Sequence, residues 1–390
     1  MKRTLRRCTA LAALAVAALG PASIAPTYTH ASAIATHASA ITHEPLSIGF
    51  GDFTAKAELT YPAGAGRNPV LILIPELVPE DMNATLTGQP GRSPLSHNFA
   101  DIANYLSPRG IAVLRYNQHY VVSPREIDGK DFSTKMDLPQ MVRDAEKVLT
   151  AAKSDPHVDP KHIFVYGWSE GSAVAAALVV RHPELAGLVV QSGAALPWHQ
   201  MLRDQVTSVG LLYLRHFAPD GRVTSVTLRQ AQKGGGGSVA QGIVTYFTVP
   251  NAPSGTLSIN PALDTNHDGA IDINTEFLPR LDRIIDTLLS PAGAFHVFGP
   301  KRALPTLTDQ AFRLSLPVLI LQGNNDSVVP VSGARIFNTA LPAKGSHTLR
   351  LYPGLGNGLG PASSRIDDTL APIAHAPLSD LATWLTQHMR

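Results

Sequence analysis

The chain has 390 residues, of which 44% are hydrophobic and 16% charged, enough for a sizeable core in one large domain or in a domain with an insertion. Its 32 basic and 30 acidic residues leave no strong positive charge, so neither a nucleic-acid partner nor an anionic membrane surface is expected. Cys8 is the only cysteine, which excludes a disulfide bond within the chain.

The N-terminus has the pattern of a secretory signal peptide over residues 1–33. A basic segment at 2–7 precedes an apolar run at 10–19, and Ala-Ser-Ala at 31–33 suits cleavage. The apolar run is too short to span a bilayer, so no membrane partner is expected. The pattern predicts a secreted or periplasmic protein whose residues 34–45 form a disordered leader.

A repeated strand-then-helix order follows the leader. Fully apolar runs alternate with helical stretches, which is typical of a mostly parallel sheet covered by helices on both faces, an α/β fold. The predicted strands are 46–50, 55–61, 70–74, 111–116, 163–166, 188–191, 318–322 and 348–352, and the predicted helices are 99–106, 138–153, 172–180, 334–341 and 378–388.

The alternation stops between residues 194 and 316. This segment is predicted to be a helical cap, inserted between a first core part at 46–193 and a second at 317–390, over the carboxyl ends of the strands. The glycine tract 234–237 predicts a flexible linker within the cap. The predicted helices of the insertion are 205–217 and 275–289.

Residues 167–171 read Gly-Trp-Ser-Glu-Gly between a predicted strand and a predicted helix. A serine on such a turn is held out of the sheet on a tight bend, while the glycines make room for nearby backbone. The N-terminus of the following helix favours developing negative charge. The pattern predicts Ser169 as a nucleophile, with a chance occurrence in a glycine-rich chain as the alternative.

This pattern resembles the α/β-hydrolase superfamily, particularly its exported bacterial esterase-like members, over most of 46–388 apart from the insertion. The resemblance implies an acyl-enzyme on Ser169 without a cofactor, and the backbone N–H of Glu170 as one oxyanion donor. It also implies Asp326 as the catalytic acid, because residues 319–330 place it after a strand, a glycine and a short turn, before Val-Pro. An Asp that caps the next helix is the alternative.

The histidine that the resemblance implies as the base is missing. In the family it follows the last strand in a segment similar to Y-P-G-x-x-H, whereas residues 352–357 read Tyr-Pro-Gly-Leu-Gly-Asn and end on Asn357. An asparagine amide neither accepts a proton at neutral pH nor becomes a cation. His375, before the last helix, is the candidate for a displaced base, with a solvated loop histidine as the alternative.

Two further places differ from the family pattern. The turn after 70–74 lacks the usual glycines, so the backbone N–H of Leu77 is the candidate for the second oxyanion donor, and a carboxylate at Glu76 would oppose an oxyanion. After 111–116, the family's Asp-x-Arg-Gly is replaced by Asn-Gln-His-Tyr at 117–120. These differences lie on the predicted active-site face. They indicate either a catalytic site formed by displaced residues or a site that has lost its activity.

Residues 264–272 match the first nine positions of an EF-hand loop, with a glycine at the sixth. The bidentate acid expected at the twelfth position is absent, and an acid comes one residue late. The pattern predicts a weak structural calcium site in the cap, with an acidic turn that holds no ion as the alternative. The candidate ligands are Asp264, Asn266, Asp268, Ala270, Asp272 and Glu276.

Two functions are consistent with this sequence. The first is a secreted serine hydrolase that acts on a small carboxylic ester, which Ser169 and Asp326 favour. The second is a hydrolase-fold protein that has lost turnover and binds a ligand or a partner in the same pocket, which Asn357 and Glu76 favour.

Overall fold

The structure is a computed structural model that describes residues 40–64, 66–87, 94–249 and 257–389. The predicted signal peptide and residues 34–39 of the predicted leader lie outside these residues. Strand β1 begins inside the leader, where Ile41 pairs with Pro62 of the next strand. The leader prediction is therefore wrong for residues 41–45, whose backbone groups are bonded in an extended hairpin.

One eight-stranded sheet carries the fold, in the order β1-β2-β6-β3-β9-β10-β13-β14. The pairs β1–β2 and β2–β6 are antiparallel, and the remaining pairs are parallel. The predicted mostly parallel sheet is therefore confirmed. The strands are β1 (Ile41–Gly49), β2 (Thr54–Pro62), β3 (Asn68–Ile74), β4 (Thr85–Thr87), β5 (Pro94–His97), β6 (Ala112–Tyr116), β7 (Val121–Ser123), β8 (Glu126–Ile127), β9 (Val158–Trp168), β10 (Gly187–Gln191), β11 (Arg222–Val223), β12 (Ile271–Asp272), β13 (Val318–Gly323) and β14 (His347–Tyr352).

Helices cover both faces of this sheet, because side chains alternate along each buried strand. On β3, Ile72 belongs to the hydrophobic cluster that contains buried residues of helices 138–154 and 170–181. Leu73 belongs to the cluster on the other face of the sheet. The helices are α1 (Asn98–Leu106), α2 (Gly129–Lys135), α3 (Leu138–Ser154), α4 (Glu170–Arg181), α5 (Trp198–Gln205), α6 (Leu211–Leu214), α7 (Ser225–Lys233), α8 (Ser238–Phe247), α9 (Leu281–Leu289), α10 (Leu307–Gln310), α11 (Val331–Ala340) and α12 (His375–His388).

The cap has a hydrophobic cluster of its own, built around buried side chains such as Tyr213, Phe247 and Phe277. The predicted helix 205–217 is divided, because a π-helical turn at Val206–Gly210 separates α5 from α6. Helices α7 and α8 were not expected from the sequence. No helix among the described residues combines the length and the apolar composition needed to cross a membrane.

The glycine tract is packed rather than flexible, so the linker prediction is wrong. The N–H of Gly237 donates to the carbonyl oxygen of Ile366 at 2.7 Å, which joins the cap to the loop before α12. A Cβ at Gly237 would lie 2.1 Å from the carbonyl oxygen of Asp368, and one at Gly234 would lie 2.2 Å from the hydroxyl of Tyr213. The glycines are there because neighbouring atoms occupy the space of a side chain.

Replacing Gly237 by alanine is therefore expected to destabilise the protein, by roughly 1–3 kcal/mol for an overpacked site. Gly235 provides the matched control, since no heavy atom lies within 4 Å of a Cβ placed there. Gly235→Ala is expected to be neutral or slightly stabilising, because it only restricts the unfolded chain. Urea unfolding of both variants measures the difference, and equal stabilities would show that the tract is not tightly packed.

Candidate active site

The candidate nucleophile lies where strand β9 turns into helix α4. Ser169 has φ +50° and ψ −119°, a conformation that a residue with a side chain seldom adopts. A Cβ at Gly167 would lie 2.4 Å from the carbonyl oxygen of Gly171, and one at Gly171 would lie 2.3 Å from that of Pro75. Both flanking glycines are thus required by close backbone, and the predicted strand–turn–helix context of the motif is present.

The side chain of Ser169 is only 2% exposed. Its backbone N–H donates to the carbonyl oxygen of Gln191 at the end of β10, at 3.0 Å. Trp198, at the start of the first cap helix, packs into a small cluster with Leu196 and Val329. The serine is therefore buried.

The predicted acid, Asp326, follows strand β13 and is 1% exposed. One of its oxygens accepts the backbone N–H groups of Val328 and Val329, each at 2.8 Å, and the other accepts Nε2 of Gln322 at 2.8 Å. Burial, followed by the charge of a neighbouring carboxyl, raises the pKa of Asp326 to about 6. Its oxygens also accept the side-chain amide of Asn357.

Asn357 occupies the position that the resemblance assigns to the base. Its Nδ2 donates to both oxygens of Asp326, at 3.1 and 3.2 Å, and its Oδ1 accepts the indole N–H of Trp168 at 3.0 Å. Its backbone carbonyl accepts hydrogen bonds from Gln191 and Ser192, both at 3.0 Å. An acceptor on one side and a donor on the other fix the orientation of the amide, which leaves it no basic atom.

A second buried carboxylate, Asp368, holds the loops that carry these residues. Its Oδ2 accepts the backbone N–H groups of Asn357 and Ser327, each at 3.0 Å, and the hydroxyl of Ser327 at 3.0 Å. A Cβ at Gly356 would lie 2.1 Å from its Oδ1. Sequence reasoning missed Asp368, because an isolated Asp in a loop carries no pattern that distinguishes it from a surface residue.

The predicted oxyanion donors lie beside a carboxyl group. The backbone N–H groups of Leu77 and Glu170, together with the hydroxyl of Ser169, are close enough to the Glu170 carboxyl to lower its pKa. Burial has the larger effect and raises that pKa. Both N–H groups thus lie near this carboxyl, and their role as oxyanion donors stays a prediction.

The loop after strand β3 is held in place by Gln118. In the sequence, this residue was noted only because segment 117–120 differs from the family pattern. Its side-chain oxygen accepts the N–H of Glu80 at 3.1 Å, its backbone N–H donates to the carbonyl of Glu80 at 3.2 Å, and its side-chain amide donates to the carbonyl of Glu76. The side chain of Glu80 is buried at 3% exposure, whereas that of Glu76 is partly exposed.

His375 is the first residue of helix α12. Its Nε2 lies 3.4 Å from the hydroxyl of Tyr105, and the two rings make an edge contact. These contacts do not bring it together with Ser169 or Asp326. The displaced-base hypothesis therefore gains no support from the hydrogen bonds of His375.

His119, which follows Gln118 in the chain, belongs to a separate cluster of polar side chains. Its Nδ1 lies 3.1 Å from an oxygen of Asp144, and its Nε2 lies 3.0 Å from an oxygen of Asp52. A concavity of about 590 Å³ lies on this side of the fold, and Asp52, Tyr120 and Asp131 are among its lining residues. Ser169 does not line this concavity.

The EF-hand-like loop folds around the carboxyl group of Glu276. One of its oxygens accepts the N–H of Thr265 at 2.7 Å, and the other accepts that of Asp272 at 2.8 Å. An oxygen of Asp264 accepts the N–H of Gly269 at 3.1 Å. Within the described residues, no three His, Cys, Asp or Glu side chains converge as a metal site would require. Calcium binding stays a prediction, which calorimetric titration with calcium tests.

Comparisons with known proteins agree with this architecture. Residues 80–241 match the family described as serine aminopeptidase, S33. Esterase EstD from Thermotoga maritima is 28% identical over 166 residues, which are 42% of this chain and 37% of that esterase. The match therefore spans little more than a third of the esterase's length. A monoacylglycerol lipase from Mycolicibacterium smegmatis is 22% identical over 254 residues, covering 65% of this chain and 71% of the lipase.

The strand order, the strained serine turn and the match over residues 80–241 indicate the same fold. The chain has the α/β-hydrolase fold. Among solved structures, Est1E from Butyrivibrio proteoclasticus has a TM-score of 0.46 at 14% identity, covering 88% of this chain and 98% of that one. The α/β-hydrolase GrgF from Penicillium has a TM-score of 0.48 at 16% identity, covering 90% and 99%.

Proposed function

We propose that this α/β-hydrolase is an esterase that forms an acyl-enzyme on Ser169 with a small carboxylic ester. The observation that supports it most is the φ of +50° at Ser169, between two glycines that close backbone contacts require. Such strain persists only where the surrounding structure enforces it, and it clusters at functional sites. An acyl-enzyme suits an ester, because the difficult displacement is divided into two easier steps.

The proposed reaction lacks an efficient proton acceptor. In the triad, the base takes the serine proton and the acid stabilises the cation that forms, but Asn357 can do neither. We therefore propose slow turnover, supported by the oxyanion donors alone, as is typical after the loss of one triad member. Esters with good leaving groups are the favoured substrates, since they need least help from a general acid.

A second candidate function is ligand binding without turnover. It is favoured by one observation, the direct hydrogen bonds from Asn357 to both oxygens of Asp326, which complete a stable buried network without a base. The strand–turn–helix around Ser169 would then be retained for packing and for shaping the pocket.

A fluorophosphonate probe distinguishes the two functions. The esterase proposal predicts slow but stoichiometric labelling of the wild type and measurable hydrolysis of a short-chain aryl ester, with both lost in Ser169→Ala. Ser154→Ala is the matched control, since Ser154 is exposed at the end of α3, and it is expected to behave as the wild type. If a folded wild type shows neither labelling nor turnover, the esterase proposal is contradicted and ligand binding without turnover is supported instead.

We also propose that the protein acts outside the cytoplasm. The proposal rests on the basic and apolar segments and on the Ala-Ser-Ala at 31–33. The same fluorophosphonate, applied to separated cell fractions and medium, tests it through the compartment in which the labelled band is found.

A further inference from the structure

Arg365 joins the cap to the loop that carries Asp326. Its Nε donates to the backbone carbonyl of Asp326 at 2.7 Å. Its terminal nitrogens lie against the carboxylate of Asp204, with one N–O distance of 2.5 Å and one of 3.5 Å. Asp204 belongs to α5, the first helix of the cap, so a single side chain in the loop before α12 contacts both parts.

Two further contacts join α5 to this loop, which we call the acid loop and which comprises residues 326–329. Nε2 of Gln205 donates to the backbone carbonyl of Val328 at 3.0 Å. Met201, at 2% exposure, shares a small buried cluster with Val329. Polar and apolar contacts together thus hold α5 against the acid loop.

The geometry of the bridge suits an arginine. A planar guanidinium has donors that point in different directions, so it can serve a carbonyl and a carboxylate at once. A lysine ammonium is a compact charge on a flexible stem and would not hold the two acceptors in a fixed relation. The side chains of Arg365 and Asp204 are each 23% exposed, so their ion pair is less screened by solvent than a fully exposed pair.

The carbonyl that Arg365 holds belongs to the residue whose carboxylate is bonded to Asn357. Both oxygens of Asp326 accept the side-chain amide of Asn357, at 3.1 and 3.2 Å. A shift of the Asp326 peptide group therefore displaces its carboxylate relative to position 357. Arg365 thus holds the predicted acid from the side of the cap.

We infer that Arg365 is a positioning residue that couples closure of the cap to the placement of the Asp326 carboxylate. With the cap closed, Asp204 holds the guanidinium and the guanidinium holds the acid loop. When α5 moves away, Arg365 loses its anionic partner and the acid loop loses the side chains packed on it. The effect on turnover rests on the proposed function, whereas the coupling itself does not.

A buried thiol in α5 measures the closure directly. Cys8 is the only cysteine, so Cys8→Ser combined with Met201→Cys leaves a single thiol in the full chain. The uncharged reagent N-ethylmaleimide modifies this thiol when α5 moves away from the acid loop, so the rate follows the open population. Arg365→Gln and Asp204→Asn are each expected to accelerate the modification about tenfold or more, because each removes charge-assisted hydrogen bonds.

Two controls identify the contact that is broken. Arg203→Gln removes an ion pair between α5 and Asp282, inside the cap, and should leave the rate unchanged. Val189→Cys, used in place of Met201→Cys, puts the thiol in the buried strand β10, where only global unfolding exposes it. Arg365→Gln should not accelerate modification there. Equal rates at position 201 with and without Arg365→Gln and Asp204→Asn would overturn the inference, as would equal acceleration at positions 201 and 189.

Turnover tests whether Arg365 acts through Asp326. The carboxylate contributes fully only when a histidine is its partner, so the comparison uses Asn357→His. Arg365→Gln is expected to lower kcat of Asn357→His about tenfold for a short-chain aryl ester, with a smaller change in KM, and to leave the slow turnover of the wild type nearly unchanged. Arg365→Lys keeps the charge without the bridge and should lower kcat as well.

An equal loss of activity in both backgrounds would contradict a role through Asp326. Faster thiol modification in a protein without any turnover would support the coupling and contradict the proposed esterase function. Unchanged thiol modification overturns the coupling whatever the activities are, so the two failures are distinguishable.

Discussion

Replacing Asn357 by histidine is expected to raise ester hydrolysis by about 10³-fold or more, the usual effect of one triad member. The amide Nδ2 already lies 3.1 Å from an oxygen of Asp326, so an imidazole N–H at that place would find its acceptor. The other ring nitrogen would then be the missing base for Ser169. Initial rates with a short-chain aryl ester measure the gain.

The pH dependence separates a new base from a general change in structure. Asn357→His should show activity that rises as the imidazole loses its proton, while the wild type should lack that step. The double variant with Ser169→Ala is the control and should remain inactive. Because Asn357 is fully buried, unfolding of the variant must be measured too. A folded variant that gains no activity would show that the base position was wrongly assigned.

The free energy of unfolding is expected to fall as the pH rises from about 5 to 8, by several kcal/mol in total. The folded state raises the pKa of Glu80 from 4.5 to about 8. A group with a raised pKa contributes stability that is complete below its unfolded pKa and is lost as the pH passes its folded pKa. Asp326 and His119, whose pKa values are also raised, act in the same direction.

Glu80→Gln isolates the contribution of one group. The variant should lose up to about 4 kcal/mol of the pH-dependent change and be more stable than the wild type at pH 8. Glu184→Gln is the control, because the pKa of Glu184 is lowered to about 2 and it stays ionised across this range. Urea unfolding at pH 5, 6.5 and 8 measures the slopes. Identical slopes for the wild type and Glu80→Gln would show that Glu80 is not held neutral.

The sequence predicted the sheet well, because its central strands are apolar on both faces and have few alternatives. Strand β13 begins at the predicted residue, Val318, and β3 starts only two residues before its predicted start. The cap was predicted poorly, since α7 and α8 are short and amphipathic and lie next to a glycine tract that mimics a linker. Those glycines are set by contacts with distant residues, which composition does not reveal.

The candidate site was predictable only in part for the same reason. Ser169 lies in a local motif, and Asn357 could be placed by counting from the last strand. Asp368 and Glu80 are isolated acids in loops, and their roles depend on which loops meet in the folded chain. The acid at Glu76 was noticed, but the effect of burial, which raises its pKa well above the ordinary value, was not.

The loop before α12 contacts two parts of the molecule at once. The carboxylate of Asp368 holds Asn357 and Ser327, while its backbone carbonyl lies against Gly237 of the cap. The cap is therefore not an interchangeable module. A chimera that grafts a relative's cap onto this core must conserve the junction between Gly237 and Asp368, or it will displace the asparagine along with the transplanted helices.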